Sequence, residues 1–192
     1  PTDPEIYSLN GARALFYAYN AGSQGRIGHW DLGSQFTDNY LVTSATGGIA
    51  LSTGEVKMIP ADNGFMYIID QFDVHKLDGT TTGGAQGTLT PRVLTFPSPY
   101  QLVDGVDGRG FLWIALMRST RAIYGGGDSN ETSETPCGVF AWDRQSQRAS
   151  VRDFIPVPGA KEIRSIFFFE GVPWLLTSAS NRFTELRRYE GA

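Results

Sequence analysis

The sequence is poorest in the residues that chemistry most often uses. It holds one cysteine, Cys137, and two histidines in 192 residues. One cysteine excludes a disulfide within the chain. A nucleophilic thiol needs a nearby base, and neither His29 nor His75 is placed by sequence to supply one. Charge is sparse too. Charged residues make up 19%, with a net charge of -4, so the clustered Lys and Arg that neutralise phosphates are missing and no nucleic-acid partner is expected. No apolar run approaches the roughly 20 residues that a membrane-spanning helix needs. The longest, Ile166–Phe169, has the length of a strand. No basic-then-apolar signal segment opens the chain.

Glycine and aromatic residues are what the chain has in quantity. The 23 glycines and 12% aromatics disfavour helices and favour strands joined by tight turns. The turns fall in register. Glu5–Leu9 runs through Asn10-Gly11 into Ala14–Tyr19, and Glu55–Ile59 through Asp62-Asn-Gly64 into Phe65–Ile69. Tyr100–Val103 runs through Asp107-Gly-Arg-Gly110 into Phe111–Leu116, and Glu162–Phe169 through Glu170-Gly171 into Val172–Leu176. Asn-Gly and Asp-Gly are strong hairpin signals, because a type I′ turn needs positive φ at both centres. The second strands are apolar on both faces, as the middle strands of stacked sheets are.

Third strands follow at Arg26–Leu32, Asp73–Leu77, Gly138–Trp142 and Thr184–Tyr189, with alternation that predicts half-exposure. Outer strands are expected at Tyr40–Thr43, Arg92–Phe96 and Ser150–Ile155. Pro97, Pro99, Pro156 and Pro158 then mark the crossovers, because proline cannot donate to a ladder. The fold expected is all-β: a β-propeller-like array of about four blades of antiparallel strands, the last incomplete. The chain is read as a single propeller domain or segment, with blades at about 5–54, 55–99, 100–161 and 162–192 and a polar insertion over 118–136. That insertion carries the sequon Asn130-Glu-Thr132. The fourth unit ends after its third strand. This points to a piece of a longer protein, or to an array completed by another chain, since bare blade edges need cover.

Asp107-Gly-Arg-Gly-Phe-Leu-Trp-Ile-Ala115, and likewise Phe65–Ile69 before Val74–Gly79, resembles the blade signature of NHL and sensor-type propeller repeats. The chain also resembles propeller domains of bacteriophage tails, such as nozzle or hub components. That resemblance implies a non-enzymatic structural module in a virion, partnered by other chains or copies of itself; the other location considered is secreted or extracellular. A hemopexin-like domain has the right length but fastens its ends with a disulfide that one cysteine cannot make.

No cofactor, metal or catalytic residue is expected. Asp104 and Asp107 lack the further oxygen ligands of a calcium loop. His29 and His75 occupy equivalent places in two units and lack a third ligand. Asp70, Asp73 and Asp143 read as turn acids rather than a hydrolytic pair. Trp113 and Trp174, in second strands, read as core. The alternative function is a carbohydrate- or ligand-binding propeller, with Trp30 and Trp142 exposed on one rim as the ligand-binding residues.

Overall fold

The structure, a computed structural model, describes residues 4–22, 24–38, 40, 51, 56–80, 87–96, 100–118, 137–145, 154–180 and 183–189. The sequon, the insertion from residue 119 to 136, Pro97 and Pro99 lie outside them, as does most of the expected Tyr40–Thr43 strand. The chain is all-β. Its strands form four antiparallel sheets, the blades of a four-bladed β-propeller repeat. It divides into two compact units, Pro1–Leu94 and Thr95–Ala192.

The first unit holds two blades. One has the order β1 (Glu5–Leu9), β2 (Ala12–Ala21), β3 (Gln24–Trp30) and β4 (Phe36–Thr37). The other has β5 (Val56–Pro60), β6 (Phe65–Asp70), β7 (Asp73–Asp78) and β8 (Thr88–Thr95). The β1–β2 hairpin turns on Asn10 and Gly11, with φ of 52° and 77°, the left-handed pair a type I′ turn requires. The outer strand described in the first blade is the short β4, and Tyr40, the one described residue of the expected Tyr40–Thr43 strand, is fully buried outside any strand. Its ring packs edge-on against Phe16 and His29 at 5.5 and 4.9 Å. An aromatic residue placed to fill core this way gains more from burial than from pairing at a sheet edge.

Alternation decides which side chains fill the space between these blades. Tyr7, Leu9, Ala14, Phe16 and Ile27 from the first blade meet Val56, Met58, Met66, Ile68 and Leu77 from the second. A polar lock spans the same joint. The Tyr7 hydroxyl donates to the Gly64 carbonyl at 2.9 Å, with the Leu77 carbonyl at 3.2 Å, and accepts from the Gly79 N–H at 2.8 Å. Burial raises the Tyr7 pKa, so it stays a donor.

The second unit repeats the plan. One blade has β9 (Tyr100–Gly108), β10 (Phe111–Arg118), β11 (Cys137–Trp142) and β12 (Phe154–Pro156). The last has, among the described residues, three strands, β13 (Glu162–Phe169), β14 (Val172–Ser180) and β15 (Phe183–Arg188). Trp113, Ala115, Cys137 and Val139 pack against Ile163, Ile166 and Leu175. Cys137 is an inert core thiol: burial pushes its pKa up to about 11, and it donates to the Ala160 carbonyl at 3.3 Å.

Each of the two inner hairpins at this joint carries a register shift. The β9–β10 register shifts at Ala115/Leu116, and the β13–β14 register shifts at Ile163/Ser165. A bulge re-aims the side chains beside it. Here it sets the Asp104 carboxylate against the last blade, where it accepts from the Ser165 hydroxyl at 2.8 Å and the Ile166 N–H at 3.0 Å. Asp107 is bound otherwise, in a half-buried ion pair with Arg144 at 2.9 Å.

Candidate functional site

Trp30 and Trp142, the two residues singled out for ligand contact, have opposite fates. Trp142 is 2% exposed. It stands opposite Leu112 in the β10–β11 ladder, on the face that also carries Ile114 and Phe140, all buried. Trp142 is therefore a core residue, and its expected rim position is corrected. The third strand of that blade is buried on both faces rather than one. Trp174, expected in the core, is only half-buried. It meets Phe169 at 6.5 Å on a face where Phe169 and Leu186 are more than half exposed. Trp113 is buried and donates its indole N–H to the Gly108 carbonyl.

Trp30 ends β3 at the margin of the first blade. Its ring lies flat on Phe36, with centroids 5.5 Å apart and planes 6° from parallel. Phe36 is 67% exposed, the most open large apolar residue among those described. The loop between them is built to hold this pair. The Asp31 carboxylate accepts from the N–H groups of Gly33 and Gln35 at 2.8 and 3.1 Å. The Trp30 indole N–H donates to the Gly33 carbonyl at 3.0 Å. Short aspartate-to-backbone bonds of this kind fix a turn locally.

Further in along the same face lies Tyr17. It is in register with Gly28, and its ring occupies the space a side chain there would need: an added Cβ would sit 2.6 Å from Tyr17 Cζ. Its hydroxyl donates to Asp38 at 3.2 Å. Phe36, Trp30, Tyr17 and Tyr19 thus share one face of the blade, with the Asp38 carboxylate beside it. Phe36 was not singled out from sequence. The signal was its register with Trp30, which a two-residue strand hides.

His29 and His75 are both buried. His29 belongs to the aromatic core with Phe16 and Tyr40. His75 Nδ1 accepts the Arg92 N–H at 3.1 Å, while the Arg92 side chain reaches Asp73 at 3.3 Å. No group of three His, Cys, Asp or Glu able to hold a metal occurs among the described residues. Asp70 and Asp73 are register partners across the tight β6–β7 turn. Burial lowers the His75 pKa from 6.5, against the pull of Asp70 and Asp73 and with the help of Arg92.

The folded chain thus binds the His75 proton less readily than the unfolded chain does. Stability should be flat above pH 6.5 and fall as pH drops through that value. The slope is bounded at about 1.4 kcal/mol per pH unit for one proton. In urea unfolding between pH 7 and 5, His75→Asn, which keeps an acceptor for Arg92, should flatten the profile. An unchanged slope would assign the titration elsewhere.

Neither a protein-family model nor a curated protein sequence matches the chain. Solved structures do. The whole chain superposes on 67% of a putative glycoside hydrolase from Parabacteroides distasonis, with a TM-score of 0.51 at 9% identity. An α-L-arabinanase from Cellvibrio cellulosa matches 96% of the chain over 71% of its own, with a TM-score of 0.45 at 11% identity. An α-L-arabinofuranosidase from Clostridium thermocellum matches 91% over 59%, with a TM-score of 0.41 at 12% identity. At such identities the likeness is one of fold, and it rests on the first of these.

That likeness corrects one expectation. The chain was read as non-enzymatic because no catalytic motif was visible. The fold is shared over the whole chain with a putative glycoside hydrolase, so the exclusion does not stand. The NHL-type and virion-tail expectations gain no support from these matches.

Proposed function

We propose that the chain is a carbohydrate-recognising propeller domain, with the Trp30–Phe36 pair as its contact platform. The observation that carries this reading is the pair itself: a flat aromatic stack, held in place by the Asp31 turn and left open on one ring. Contiguous exposed apolar surface rimmed by polar groups marks an interaction site. Sugar rings offer an apolar face of matching shape, edged by hydroxyls that need hydrogen bonds. Asp38, beside the platform, is a suitable acceptor. The fold shared with a glycoside hydrolase agrees with a carbohydrate ligand.

A glycan array followed by calorimetry tests the reading. Wild type should bind at least one glycan class, and Phe36→Ala should weaken that binding about 10-fold, the cost of one aromatic contact. Trp30→Ala should do the same, because Phe36 then loses its support. A wild type that binds nothing across the array would overturn the proposal.

A further inference from the structure

Resting on that reading, we infer that the site is a track for a linear oligosaccharide of at least three units rather than a pocket for one sugar. The argument is one of spacing. Along β3, Trp30, Gly28 and Arg26 point to the same side of the sheet. Trp30 presents its own ring at the first position, Tyr17 lies over Gly28 at the second, and Tyr19 stands opposite Arg26 at the third. Same-face positions on a strand recur about every 7 Å, so three aromatic stations span about 14 Å. Tyr17 and Tyr19 are themselves 5.9 Å apart, tilted 35° to each other, and form a second aromatic pair beyond Trp30–Phe36.

The polar groups are spread along the track instead of converging on one point. Asp38 serves the Tyr17 station through its hydroxyl. At the far station, the half-buried Arg26 guanidinium stands opposite Tyr19 and supplies hydrogen-bond donors. A single sugar on Phe36 reaches none of this. Gly28 fits the same purpose, since a Cβ there would collide with the Tyr17 ring.

Calorimetry with xylo-, arabino- and cello-oligosaccharides of one to six units tests the inference. In the series that binds, affinity should rise at least 10-fold between one unit and four, then level off. Tyr19→Ala should narrow the hexamer-to-disaccharide ratio, and Tyr19→Phe should restore it. Phe36→Ala should weaken short and long ligands alike. Equal affinity for one unit and six, or a ratio unmoved by Tyr19→Ala, overturns the track while leaving glycan recognition intact. No binding at any length overturns the recognition itself. Light scattering supplies one more outcome: a dimer that Tyr19→Ala dissociates would make this face a contact between copies, and the track would fall.

Discussion

Asp104→Ala should lower the stability of the chain by about 4 kcal/mol, because one side chain holds two blades together. The carboxylate accepts from the Gly105 N–H at 2.9 Å, the Ser165 hydroxyl at 2.8 Å and the Ile166 N–H at 3.0 Å. It is only 7% exposed, and Ile166 is in the core. Bonds to a charged acceptor contribute roughly 1.5–3 kcal/mol each, and a buried N–H left without a partner costs about 1–3 kcal/mol. Relief of the buried charge returns part of this, which keeps the net figure below the sum. Asp104→Asn retains an acceptor oxygen but turns the other into a donor facing donors, so it should lose about half as much. Urea unfolding measures both. A loss below about 1 kcal/mol for the alanine variant would show that the β9–β13 joint rests on its apolar contacts alone.

Asp104 also shows where the sequence stops being legible. Near Gly105 and Asp107 it reads as a turn acid. Two bulges, in two different hairpins, are what bring it to Ser165 and Ile166. Nothing local announces a contact that spans more than 60 residues. Tyr7 is similar. In β1 it looks like one more core aromatic, and its role is fixed by where Gly79 arrives, 72 residues later. Both locks are long-range hydrogen bonds, and strand periodicity carries no information about them.

The hairpins themselves were legible because their determinants are local. Asn10-Gly11, Arg109-Gly110 and Glu170-Gly171 all adopt positive φ at both turn positions. Those turns set the register of the inner strands, and the apolar second strands follow. The outer strand described in the first blade is the short Phe36–Thr37, which composition does not mark, while Tyr40 fills the core beside Phe16. The candidate site was half legible because the alternation of a strand is the same whether its aromatic residues face core or solvent.

Trp30 and Trp142 make that ambiguity measurable. Trp142→Ala should lower stability by about 4 kcal/mol, within the range for deleting a large buried aromatic. For a chain of this size that is a fall of roughly 10 °C in Tm. The cavity would open between Leu112 and Phe140, which are 0% and 2% exposed and have no polar group to draw in water. Trp30→Ala removes a half-buried ring at the sheet margin, stacked on an exposed one, and should cost under about 1.5 kcal/mol. Glycan binding should divide the other way. Trp30→Ala should lose affinity while staying folded, and Trp142→Ala should bind normally at temperatures below its own transition. Thermal melts paired with calorimetry on the two variants read both quantities. A Trp142→Ala protein that stays stable but no longer binds would return Trp142 to a ligand-facing role and undo the distinction that the blade packing draws between these two tryptophans.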